Sequence, residues 1–178
     1  MKAINKRRMG GVYVVEFAII GLLLFTLLFG VLEMGRLYFT VNGLDEVVRR
    51  GARLAAVCDI RDTDILRRAI FNEAGPSGDV PSSLIGSLET ADLTLAYLDE
   101  NGGEVLNPDD LTFGAIRYVQ LRVEDFTFDL LIPGFRGEFT LQVFRSTFPR
   151  ESLGRHAEGP KPDDQPSTIN PSVGVTPC

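Results

Sequence analysis

From Val12 to Leu32 the chain carries 21 consecutive residues whose only charge is Glu16. Wound into an α-helix with a rise of about 1.5 Å per residue, such a run reaches about 30 Å, the thickness of one bilayer core. The helical period does not stop there. Leu37, Val41, Leu44, Val48 and Ala55 recur at spacings of three, four or seven residues, while Asn42, Asp45, Glu46, Arg49, Arg50 and Arg53 occupy the other faces. No proline precedes Pro76, so nothing forces a break. The pattern predicts one helix from about Val12 to about Val57, its first half in lipid and its second half laying an apolar stripe against a domain. Gly30, Gly35, Gly43 and Gly51 weaken that helix by roughly 1 kcal/mol each relative to alanine. They mark either close packing or points of bending and local melting.

Downstream the pattern changes. Asp62 or Thr63 is placed to cap a shorter helix from Asp64 to Glu73, closed by Gly75-Pro76. Small, turn-forming residues from Ser77 to Glu89 predict a loop. Alternation then sets in. Leu93–Asp99 reads as a strand, and Glu100-Asn101-Gly102-Gly103 is turn chemistry leading to Glu104-Val105-Leu106, a candidate hairpin. Ile116 to Leu131 alternates, Pro133-Gly134 turns the chain, and Phe139–Phe144 within Glu138 to Phe148 supplies a further strand. Three or four antiparallel strands with one apolar face, and a helix with one apolar stripe, bury both by packing on each other. The expected class is α+β. From residue 150 to 178 prolines and glycines replace large apolar side chains, which predicts an extended tail that builds no core.

At 178 residues and 44% hydrophobic composition, there is room for one span and one modest domain beyond it. The formal charge is −6; Lys2, Lys6, Arg7 and Arg8 supply four of the 18 basic residues, while all 24 acidic residues lie after them. Loss of that leader would leave 14 basic against 24 acidic side chains, a charge of −10. Nucleic-acid binding depends on clustered Lys and Arg to neutralise phosphates, so this balance argues against it. Basic flanks stay in the cytoplasm, which predicts an inner-membrane, single-pass topology with the N-terminus cytoplasmic. The remainder would be periplasmic or, in a filament, extracellular. A conventional secretory signal shares the basic leader, but the apolar run is long for one and no Ala-x-Ala-like site follows near Leu32 to Arg36.

Glu16 is the residue that needs a reason. A carboxylate in a membrane helix costs about 2.5–3.5 kcal/mol at the bilayer centre and less near its edge, and such acids are functional candidates by default. Farther along, Glu33 and Arg36 stand three residues apart at the outer boundary, where they can pair or snorkel. The two cysteines, Cys58 and Cys178, are expected to form a disulfide in an oxidising compartment, with unpaired thiols or an intermolecular bond as the alternatives. Little else resembles an active site. His156 sits in the Pro/Gly-rich tail, Asp109-Asp110 and Asp163-Asp164 lack surrounding metal-ligand spacing, and no phosphate-binding loop or nucleophile–base pair is present. No catalytic residue, metal or cofactor is expected, and the chain reads as the substrate of an enzyme.

Gly11 followed by four residues and then Glu16-Phe17, heading an apolar helix behind a basic leader, resembles the processing site of type IV prepilins, particularly the Flp/Tad branch. Phe29-Gly30-Val31-Leu32-Glu33-Met34-Gly35-Arg36 and Arg49-Arg50-Gly51-Ala52-Arg53-Leu54-Ala55-Ala56 extend the likeness to TadE-like minor pilins or pseudopilins, over roughly residues 7 to 57. Gly21 stands where many relatives carry proline. The resemblance implies cleavage between Gly11 and Val12 by prepilin peptidase, and a role for Glu16 and Phe17 in assembly, Glu16 attracting the freed amine of a neighbouring subunit. It also implies a pilin-like fold: a long transmembrane helix continuing into a small extracytoplasmic domain whose antiparallel sheet packs on the helix.

The implied organisation is a leader at 1–11, an assembly helix at 12–34, a domain at 35–149 and the tail at 150–178. The expected partners are the peptidase, other pilin or pseudopilin subunits, the Tad inner-membrane assembly machinery and the membrane itself. The competing reading is an uncleaved, single-pass anchor displaying a periplasmic binding domain. That alternative explains the length and topology of the helix, but not Glu16 at its spacing from Gly11.

Overall fold

The structure, a computed structural model, describes residues 10–75, 78–109, 112–131 and 137–154. A single helix, α1 (Gly10–Val57), is followed by the short helix α2 (Asp64–Ala69) and five strands: β1 (Leu93–Leu98), β2 (Tyr118–Val123), β3 (Thr127–Asp129), β4 (Glu138–Thr140) and β5 (Phe144–Pro149). The class is α+β, a long apolar N-terminal helix followed by antiparallel sheet. The chain divides into two compact units, Met1–Phe39 with Phe128–Phe139, and Thr40–Thr127 with Thr140–Cys178.

In the second unit β1, β2 and β5 form an antiparallel sheet in the order β1-β2-β5, with Leu95 opposite Leu121 and Val123 opposite Phe144. Its apolar face meets helix positions spaced by three and four. Leu44, Val47, Val48 and Ala52 are buried with Leu93, Leu121, Val123 and Phe144; farther along, Ala55 and Ala56 join Tyr97, Ile116, Val119 and Leu153. The expected stripe is thus correct in register at Leu44, Val48 and Ala55, with Val47 and Ala52 added. Small residues in the last turns let the sheet approach the helix. A Cβ on Gly51 would stand 2.2 Å from Leu121 Cδ2 and 2.8 Å from Ala69 Cβ, so hydrogen at that position is a packing requirement.

The second helix ends earlier than Gly75-Pro76 would dictate. The Asn72 N–H donates to the Arg67 carbonyl and the Phe71 N–H to the Arg68 carbonyl, the double closure of a Schellman turn. Phe71 takes the left-handed position usually given to glycine, at φ 66°. Its ring packs against the core and receives the Arg50 guanidinium at 5.2 Å, contacts that offset the backbone strain. At the other end of α2 no side chain caps Thr63; instead the Asp62 carboxylate accepts the Asp64 N–H at 2.8 Å.

The expected strands are present but segmented. The Asp99 carboxylate accepts the N–H groups of Asn101 and Gly103, making the expected turn, yet its return arm pairs only through Leu98 with Glu104 and the Val105 N–H to the Tyr97 carbonyl. Phe139–Phe144 is not one strand. β4 pairs with β3 and β5 with β2, while the Leu141 N–H donates to the Phe126 carbonyl between them. Asp125, at φ 54°, breaks the facing strand at the same level, so both sides of the long hairpin are interrupted together.

The beginning of the proline-rich region also departs from expectation. Glu151 and Leu153 N–H groups donate to the Ala56 carbonyl and the Gly154 N–H to the Val57 carbonyl, satisfying acceptors left open by the end of α1. Leu153 is 1% exposed and belongs to the core. Gly154 has φ 78°, and a Cβ there would lie 2.6 Å from the Asp59 backbone nitrogen.

Candidate functional site

Gly11, Val12, Glu16 and Phe17 all lie in the opening turns of α1. These turns are open among the described residues: Val12, Tyr13, Val14, Val15 and Phe17 are 57–78% exposed, and Glu16 is exposed among them. Glu16 stands one helical turn beyond Val12, so it shares a face with the residue that cleavage after Gly11 would make the new terminus. Among the described residues no hydrogen-bond or ion-pair partner holds its carboxylate.

Glu33 presents the opposite case. It is 8% exposed, and its Oε1 accepts from Arg36 Nη1 at 2.6 Å and from the Leu131 N–H at 3.2 Å. Arg36 in turn directs both Nη atoms at the Asp129 carbonyl, at 3.4 and 3.5 Å, and lies over the Phe128 ring at 4.8 Å. The expected boundary pair exists, but it is more than a solvated pair: it fastens β3 to the helix. Sequence spacing could reveal the Glu33–Arg36 contact and not its partners, which lie over 90 residues away.

Cys58 follows α1 directly, its N–H donating to the Leu54 carbonyl at 2.8 Å, and the residue is 5% exposed. Cys178, His156, Asp110, Asp163 and Asp164 lie outside the described residues. Asp109 is occupied in a local turn, accepting the Thr112 N–H at 2.8 Å. Among the described residues no group of three His, Cys, Asp or Glu side chains could hold a metal ion. One titrating group that sequence inspection missed is Tyr97. It is 4% exposed and its hydroxyl has no hydrogen-bond partner among the described residues; burial, reinforced by the Asp59 and Asp62 carboxylates, holds it protonated well above the usual tyrosine range.

The most extended feature is therefore an unburied helical surface. α1 is long and apolar enough to cross a membrane, and none of its most apolar window is buried. Residues 11–53 match the family of TadE-like proteins. The chain carries a TadE-like N-terminal helix. The match begins at Gly11, includes Glu16, Glu33 and Arg36, and ends at Arg53 on the helix turns that pack beneath the sheet. No curated protein and no solved structure matches the chain.

Proposed function

We propose that this TadE-like chain is a minor pilin or pseudopilin of a Tad (Flp, type IVb) pilus assembly or secretion system, processed by prepilin peptidase between Gly11 and Val12 and assembled through α1. The observation that carries this reading is the family match over residues 11–53, which opens at the proposed cleavage junction. Two features support it. Among the described residues none in the most apolar window of α1 is buried, which leaves that surface for lipid before assembly and for neighbouring helices afterwards. Glu16 has no partner among the described residues, while a neighbouring subunit's freed amine is a cation of matching charge. Opposite charges attract far more strongly in a low-dielectric environment than in water, which gives the acid a purpose.

In this account the basic leader keeps the N-terminus in the cytoplasm and the sheet domain emerges on the periplasmic side. The peptidase removes residues 1–11, and the Val12 amine of one subunit meets Glu16 of the next. The domain outside the membrane presents the recognition surface of an initiating, capping or adaptor subunit. Cys58 pairs with Cys178, the one other cysteine, joining the tail to the end of α1; the absence of a free thiol among the described residues supports that pairing. Expression with the cognate peptidase tests the central step. N-terminal sequencing is expected to find Val12 first, and persistence of the full-length form beginning at Met1 would favour the uncleaved anchor instead. Glu16→Ala is expected to be cleaved and to assemble poorly; normal assembly would refute the role given to that carboxylate.

A further inference from the structure

Three contacts fasten the arm formed by β3 and its return strand β4 to α1. The Arg36 guanidinium covers Phe128 and faces the Asp129 carbonyl, whereas Glu33 accepts the Leu131 N–H. As the strand advances from 128 to 131, its partner on α1 retreats from 36 to 33. Glu33 and Arg36, themselves in contact at 2.6 Å, therefore fasten the arm to α1 just outside the apolar run. Leu32, the last residue of the apolar run, is the next helix position below Glu33.

We propose that this arm is a second membrane contact, with Leu131 entering the acyl boundary of the outer leaflet beside α1 and Phe139 resting at headgroup level. The inference rests on the reading of Val12–Leu32 as the membrane span. Leu131, whose N–H Glu33 accepts, is 66% exposed, and Leu32 and Met34, which flank Glu33 in the helix, are 65% and 53% exposed. The backbone is prepared for a low-dielectric setting: the Leu131 N–H is held by Glu33 and the Leu130 N–H by the Gly137 carbonyl at 3.0 Å. Glu33 and Arg36 neutralise each other at 2.6 Å. Phe139, on the return strand, is 52% exposed, and aromatic rings favour the interface. Lipid is the occupant because the clasp to α1 holds Leu131 at the bilayer boundary in every copy, whether or not another subunit is present.

The chain has no tryptophan, so single-tryptophan variants of the full-length protein report each position separately. Leu131→Trp, Leu22→Trp in the span and Leu106→Trp, at a position 75% exposed in the second unit, would be reconstituted in phosphatidylethanolamine/phosphatidylglycerol vesicles with and without brominated acyl chains. The expected result is short-wavelength emission from Leu131→Trp that bromine quenches, as it quenches Leu22→Trp, with Leu106→Trp unaffected. Quenching of Leu22→Trp alone overturns the arm contact and leaves the span intact. Loss of quenching at Leu22→Trp overturns the span and the arm together. Short-wavelength emission at Leu131→Trp without quenching, or a shift that vanishes as lipid dilutes the protein, would assign the surface to a second copy and overturn the lipid contact.

Discussion

The carboxylate of Glu33 accepts the backbone N–H of Leu131 at 3.2 Å across a separation of 98 residues. One oxygen thus serves both the neighbouring Arg36 and a strand that the chain reaches much later. Glu33→Ala leaves the amide without its acceptor and Arg36 without its counter-ion, a loss of about 1–3 kcal/mol in local stability. Hydrogen exchange is expected to accelerate at the Leu130 and Leu131 amides and to change little in β2. Glu33→Gln keeps an acceptor and should fall between the two. Unchanged exchange in Glu33→Ala would show that the arm is held by other means.

Glycines on the same helix should respond in opposite directions. Gly51→Ala drives a methyl group against Leu121 and Ala69, an overpacking cost of about 1–3 kcal/mol. Gly35→Ala meets nothing within 4 Å, so the helix-propensity gain of up to about 1 kcal/mol is free to appear. Thermal unfolding in one detergent should show a lowered midpoint for the first and an equal or raised midpoint for the second. Equal responses would mean that packing does not distinguish these sites.

Tyr97 links stability to alkaline pH. Unfolded, its hydroxyl ionises near the ordinary value of about 10; folded, burial and the two nearby carboxylates keep it protonated to higher pH. Its contribution is fully present below about pH 10 and is lost as pH rises through the folded value, because only the unfolded chain releases the proton easily. Tyr97→Phe should remove that alkaline loss. At neutral pH it also removes a buried hydroxyl without a partner, so stability should hold or rise by about 1 kcal/mol. Urea midpoints near neutrality and above pH 10 check both effects, and a substantial neutral-pH loss would reveal a partner for the hydroxyl.

A Cys58–Cys178 bond closes a loop of most of the domain, and the chain-entropy account assigns such a closure about 4–5 kcal/mol. Intact mass of the monomer should rise by two hydrogens on reduction, and Cys58→Ser should lower the unfolding midpoint to that of the reduced protein. An unchanged mass would dismiss the intramolecular pairing.

Shortening Leu153 tests the packing at the end of α1. Leu153→Ala empties a fully buried position beside Ala55, Ala56 and Tyr97, with an expected loss of about 2–5 kcal/mol. An unaffected midpoint in denaturant would mean that residues 151–154 contribute nothing to this end of the helix.

By itself the sequence determined what local periodicity and short spacing encode. The helix and its apolar first half follow from the run of Val12–Leu32 and its continuation; the α+β class follows from alternation after Leu93; and the TadE-like match of residues 11–53 follows from residues grouped along one helix. Each depends on side chains a few positions apart, whose geometry is imposed by the backbone. Tertiary structure decided the rest. Phe71 ends α2 ahead of the glycine and proline because a ring packed in the core outweighs its backbone preference, and Leu153 enters the core from a composition that predicts none. Above all, Glu33 gains its second contact, the Leu131 N–H, only from a strand 98 residues farther along the chain. No local rule specifies such a meeting, since its two partners are brought together only by the path of the intervening chain.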